Sequence, residues 1–192
     1  MNSLKGQFLI AMPDMMDERF HDAVIYLVGH SEEGAMGLVV NQSLNDMRFG
    51  DVLTELELGD KDEFIRMPET VRERQVLRGG PVEMSRGFVL HSPDYFRDGN
   101  SYIVSDEVYL TATLDVLKAI AFRNAPAEAL FALGYCGWGA GQLEGEIGRN
   151  GWLTVPFSRD LLFDTPIEQR YDAALGKLGI TRASLSSTAG NA

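Results

Sequence analysis

Cysteine is nearly absent from this chain of 192 residues. Cys136 stands alone, so no disulfide can form within the chain. That fits a reducing compartment. Long apolar runs are missing as well. The run near the N-terminus, Phe8–Met12, is five residues long. A secretory core segment needs about 7–15 apolar residues and a membrane-crossing helix about 20. Together these absences predict a cytoplasmic location with no membrane partner.

Positive charge is also in short supply. Lys and Arg number 17 against 28 Asp and Glu, a formal net charge of −11. Such a surface repels phosphate backbones, and non-specific nucleic-acid binding rests on neutralising them. A nucleic-acid partner is therefore disfavoured. The one arginine-dense stretch, Arg66, Arg72, Arg74, Arg78 and Arg86, is interleaved with Glu69, Glu73 and Glu83. It reads as a solvated, ion-paired face.

What is present suits an ordinary folded domain. Hydrophobic residues make up 45% and charged residues 23%, enough for a core without metals or disulfides. A single domain is expected over residues 1–185, with a small, polar, disordered tail over 186–192. Ala23–His30 (AVIYLVGH) is almost continuously apolar, as in a strand buried on both faces. Ala35–Val40 comes after the polar break Ser31–Gly34, and the two predict an antiparallel pair. Further strands are expected at Gln7–Met12, Gln75–Leu77, Gly87–Leu90, Leu130–Tyr135 and Trp152–Val155, and a hairpin at Ser101–Ser105 with Val108–Leu110. Helical spacing marks Phe49–Leu58, Leu114–Phe122 and Pro166–Leu178. Gly59–Thr70 reads as a charged, mobile loop and Gly141–Ile147 as a helical turn. Strands outnumber helices and regular βα alternation is missing. The fold class is α+β, a mixed and mostly antiparallel sheet with a few flanking helices.

Several chemistries can be tested by pattern. The segment Leu133–Glu146 (LGYCGWGAGQLEGE) comes after a strand and is rich in glycine. A dinucleotide loop needs a small third residue, and Gln142 or Glu144 occupies that place. No Gly-Lys-Ser/Thr comes next, so no phosphate loop is formed, and no cofactor is predicted. Glycines beside Trp138 read instead as architecture. Gly79-Gly80-Pro81 could form a small anion nest or, more simply, a tight turn between strands. Cys136 reads as a buried apolar residue rather than a nucleophile. The histidines His21, His30 and His91 lack the spacing of a metal set, and no metal site is predicted. No G-x-S-x-G elbow is present, and no catalytic residue is assigned. An acid–base rim of His30, His91 and Glu144 is the one enzymatic arrangement the residues allow.

Four blocks resemble a known family: Gln7–Asn41, Val76–His91 (VLRGGPVEMSRGFVLH), Leu133–Ile147 and Asn150–Pro156. They are similar to the YqgE/AlgH family of bacterial proteins, across almost the whole chain. The resemblance implies a compact α+β domain with a coiled, branched sheet in a cytoplasmic protein. Members are often labelled transcriptional regulators, and the family brings no established catalytic residues to carry over. Motif membership does carry over: His30, Gly34, Gly37 and Asn41 in the first block, Gly79, Gly80, Pro81 and His91 in the second, and Gly137, Trp138, Gly141, Gln142, Leu143 and Glu144 in the third. Cys136 departs from the small residue common in the family. Three functions stand as expectations. The first is a non-enzymatic binding or regulatory module with a protein or small-molecule partner. The second is a transcriptional regulator, and the third is an enzyme using the His/Glu rim.

Overall fold

The computed structural model describes residues 3–122 and 125–188. Among the described residues, ten strands form one branched sheet. Its main path runs β10 (Trp152–Val155), β1 (Phe8–Ala11), β2 (Val24–Ser31), β3 (Gly34–Val39), β9 (Ala129–Gly139), β6 (Val82–His91), β8 (Tyr109–Thr111) and β7 (Ser101–Ile103). β5 (Gln75–Arg78) joins β9 off this path and pairs in turn with β4 (Ser43–Arg48). β2 and β3 pair antiparallel, Ile25 opposite Val39 and His30 opposite Ala35.

The branch lies on β9. Over Phe131–Leu133 it pairs in parallel with β5 and antiparallel with β6, so these two strands flank it on opposite edges. Further along, Gly137 and Trp138 pair with Met36 and Ala35 of β3. The link from β5 to β6 is only Gly79-Gly80-Pro81, and it must cross the β9 backbone to change edges. There is no room in that crossing for side chains. A Cβ on Gly79 would lie 2.3 Å from the Gly134 carbonyl oxygen, one on Gly80 2.1 Å from the Tyr135 carbonyl carbon, and one on Gly134 2.4 Å from the Gly80 oxygen. The glycines of two motifs are thus one steric requirement: two main chains in direct contact.

The sheet is apolar on both faces, which explains the continuous apolar reading of β2. Val24, Tyr26 and Val28 enter the cluster beneath α6 (Arg170–Lys177), with Phe8, Leu38, Tyr171 and Leu175. Ile25 and Leu27 point the other way, into the cluster of Cys136, Trp138, Leu143 and Trp152. This is the period-two alternation of a strand with two dry faces. A third cluster joins Phe49 and Leu53 of α1 (Phe49–Glu55) to Leu117 and Ile120 of α4 (Leu114–Phe122) over Val76, Val89 and Phe131.

Three local expectations are corrected. The charged stretch Gly59–Thr70 is not a loop but contains α2 (Lys61–Arg66) and the start of α3 (Glu69–Arg72). Asp60 and Glu63 close a reciprocal capping box, side chain to backbone in both directions, a D-x-x-E signal readable in the sequence. β9 does not stop at Tyr135; the glycine segment continues it to Gly139, because β3 supplies a ladder partner there. Beyond it the expected helical turn is a full helix, α5 (Gln142–Gly148). The chain enters it through Gly141, in the left-handed region at φ 71°, where glycine is unstrained. At the C-terminus α7 spans Arg182–Thr188, and residues 189–192 of the expected tail lie outside the described residues.

Candidate functional site

The motif residues gather around the far end of β9, and their polar groups are spoken for. His30 sits at the end of β2 with its side chain almost enclosed. Leu4 N–H donates to its Nδ1 at 2.9 Å, so the ring proton belongs on Nε2, which donates to Glu144 Oε1 at 2.7 Å. Both ring nitrogens are therefore committed. The Glu144 carboxyl is held below the usual range, first by its own backbone N–H and then by His30. The pair ties the N-terminal segment, β2 and α5 together.

A second carboxylate organises the same region, and the sequence reading missed it. Glu146 Oε2 accepts both indole N–H groups, Trp138 at 2.9 Å and Trp152 at 2.8 Å. Its Oε1 accepts from Gln142 Nε2 at 3.0 Å, and Gln142 Oε1 accepts from the Gly139 backbone at 3.0 Å. The indoles meet edge to face at 6.1 Å. The signal was present: the chain has two tryptophans, and a buried indole requires an acceptor. Gly137 continues the ladder opposite Met36. Gly34 passes so close to Trp138 that a Cβ would lie 2.2 Å from its carbonyl oxygen. Asn41 fastens the start of β2, accepting from Val24 N–H and donating to the Asp22 carbonyl, each at 2.7 Å. Burial pushes the Cys136 thiol up to about 12, which removes thiolate chemistry at neutral pH.

His91 lies elsewhere. It pairs with Ala129 at the start of β9, whereas Trp138 marks the end beside β3. The separation along the strand is roughly 30 Å. Nδ1–H donates to the Ser92 carbonyl at 2.9 Å, leaving Nε2 to accept from the Thr111 hydroxyl at 2.8 Å. Thr111 in turn contacts Ser101 Oγ at 2.9 Å, which accepts from Arg97 N–H at 3.1 Å. Burial lowers the His91 pKa, keeping the ring neutral. His30 and Glu144 meet; His91 does not join them.

A concavity lies beside α1 and α4. Between α1, the start of α4, and strands β6 and β9 is an open cleft of about 350 Å³. Val52, Leu117, Val89 and Phe131 form its floor, and Leu56, Met84 and Leu114 stand at its rim. Those three are 44%, 66% and 51% exposed, so large apolar side chains meet water at the mouth, beside the exposed Glu55 and Ser85. Thr111, fixed by His91, contributes to the wall. Thr113 Oγ1 is buried there with no hydrogen-bond partner among the described residues. Among the described residues there is also no group of three His, Cys, Asp or Glu side chains placed to hold a metal ion, and no helix is long and apolar enough to cross a membrane.

The branched sheet, the glycine crossing and the indole-clamping carboxylate together define a single-domain α+β class with one shared central strand. Comparison with known proteins gives the kinship. The chain matches the family described as AlgH-like over residues 8–183, and it belongs to that family. It is 55% identical to a UPF0301 protein of Mesorhizobium japonicum, over 98% of this chain and 93% of that one. It is 51% identical to a UPF0301 protein of Rhizobium meliloti, over 98% and 93%. Among solved structures it is similar to the AlgH protein from Pseudomonas aeruginosa, at 41% identity and TM-score 0.79, covering 100% of this chain and 97% of that one. A protein from Corynebacterium diphtheriae shares the fold at 16% identity and TM-score 0.70, over 97% and 92%.

Proposed function

We propose that this protein is a non-enzymatic binding module that takes a small, largely apolar ligand in the cleft between α1, α4 and β6. The observation that carries the reading is the cleft itself: about 350 Å³, apolar walls, exposed aliphatic side chains at the mouth and one unpartnered hydroxyl, Thr113. Ligand sites have this size and this mix of apolar surface with few polar anchors.

The remaining features support the same reading. The ring nitrogens of His30 and His91 are all engaged, which leaves neither imidazole free to act as a base. The net charge of −11 favours a ligand other than nucleic acid. The single buried cysteine is in keeping with a cytoplasmic location.

A thermal-shift panel of neutral apolar compounds, run on the wild-type protein and on Met84→Glu, tests this. At 100 times its Kd a ligand adds about 2.7 kcal/mol, a Tm rise of roughly 5–10 °C for a chain of this size. Met84→Glu places a charge at the mouth and abolishes the rise. A panel that moves neither protein, or moves both equally, removes the cleft from consideration.

A further inference from the structure

A second cleft carries a charge that the surrounding protein does not neutralise. Arg170 opens α6 and is 3% exposed. Its Nε donates to the Thr165 carbonyl at 3.0 Å, and its Nη1 donates to the Val40 carbonyl. Both acceptors are neutral. None of the ion pairs among the described residues includes Arg170, and its other N–H donors meet no acceptor there. Burial lowers its pKa to about 10, opposed by the more distant Glu168; the group stays cationic at neutral pH. A buried guanidinium is costly unless a counter-charge or a full set of acceptors compensates it.

Arg170 borders a cleft of about 320 Å³, distinct from the first. Arg74 stands at the same cleft, exposed and in no ion pair with a described residue. One carboxylate also borders it, Asp164, which faces Arg159 at 3.7 Å. The balance is two cations against one anion already directed elsewhere. The walls between them are apolar, with Leu77, Phe131 and Phe163.

We propose that this second cleft binds a small monocarboxylic acid, with its carboxylate on the free donors of Arg170 and its apolar body against Leu77, Phe131 and Phe163. A carboxylate supplies the missing counter-charge and matches the planar fork of guanidinium donors. The apolar walls select an organic acid over a bare inorganic anion, since phosphate would leave them wet. Arg74 adds attraction at the mouth.

The test is amide chemical-shift mapping of the full chain with phenylacetate, hexanoate, phenylacetamide and inorganic phosphate. Phenylacetate and hexanoate are expected to move Gln75, Leu77 and Leu130, which line this cleft and not the first. Phenylacetamide, the uncharged isostere, binds at least about tenfold more weakly, the fold-change a charge-assisted hydrogen bond confers. Arg74→Gln, on an exposed side chain that does not endanger folding, weakens acid binding about threefold, as expected for one partly screened charge, and leaves the amide unchanged. Arg170→Lys keeps the charge but loses the fork, and weakens the acids about tenfold if it folds. Met84→Glu, in the first cleft, leaves all of this unaltered, so failure here is separable from failure of the first site. Equal binding of acid and amide, shifts that do not respond to Arg74→Gln, shifts confined to other residues, or phosphate acting as strongly as the acids each overturn the proposal.

Discussion

The far end of β9 and the cleft beside α4 are built from similar apolar material but differ in how their polar groups are settled. At the first, two hydrogen-bonded sets hold the polar side chains: His30 with Glu144, and Glu146 with Trp138, Trp152 and Gln142. At the second, Thr113 lacks a partner among the described residues and large aliphatic side chains face water. Closed hydrogen-bond sets rigidify a fold; unsatisfied groups beside open volume mark where something else can bind. The residues that make the family recognisable are those that hold the branched sheet together. The surface suited to a ligand takes Met84, Val89 and Leu133 from the same blocks, but its α1 and α4 walls lie outside them.

That contrast can be broken in four places. The largest effect is expected at the crossing. Gly80→Ala drives a methyl into the Tyr135 backbone, 2.1 Å from its carbonyl carbon. A loss above about 4 kcal/mol, or no folded protein, is expected from a clash neither main chain can avoid. Near-normal denaturant stability in this variant would mean that the two chains do not cross as described.

Glu146→Ala comes next. It strands two buried indole N–H groups at about 1–3 kcal/mol each, a total of about 2–4 kcal/mol once water reaches one of them. Denaturant midpoints and tryptophan emission report it together. Glu146→Gln keeps an oxygen that can accept from both indoles and recovers most of the loss.

His91 links the two regions' logic, since its network braces the cleft wall through Thr111. His91→Leu is expected to cost about 1–3 kcal/mol by removing the acceptor of the Thr111 hydroxyl and the donor to the Ser92 carbonyl. The wild-type protein also gains a pH dependence from this ring. Folded His91 takes a proton less readily than the unfolded chain. Its contribution is complete above about pH 6.5, the unfolded value, and is lost as pH falls toward the lowered folded value. Stability measured from pH 7.5 to 5 should fall more steeply in wild type than in His91→Leu.

The smallest stability effect belongs to the cleft rim. Met84→Glu is expected to change unfolding free energy by no more than about 0.5 kcal/mol, while removing ligand stabilisation. A large loss there would make the rim part of the architecture and erase the contrast between the two regions.

Much of the architecture was legible in the chain. The run of β2 announced a strand with two dry faces, the spacing of Leu114–Phe122 announced α4, and Gly79-Gly80-Pro81 announced a tight link. The extent of β9 was not legible, because glycines that usually end a strand here continue one under pressure from β3. Nor was the helix at Lys61–Arg66 read, although its capping pair was in view. Of the candidate site, the grouping of His30 with Glu144 was anticipated across 114 positions, but the inclusion of His91 was not right, since no periodicity encodes which strand end a residue reaches. Glu146 could have been sought from the two tryptophans. The cleft had no signature at all: a volume is defined by what fails to fill it.

The sequence by itself determined which segments become strands and helices, since side-chain periodicity and capping act over a few residues. It also determined kinship and the acidic surface, which depend on composition and order alone. Tertiary structure decided which polar groups are satisfied and which are left open, because hydrogen-bond satisfaction depends on neighbours from remote parts of the chain. It decided that His30 and His91 stand beside opposite ends of β9, and that Arg170 is enclosed with no ion-pair partner among the described residues. Burial and partnering, not residue type, separate a structural histidine from a base and a surface arginine from a binding group.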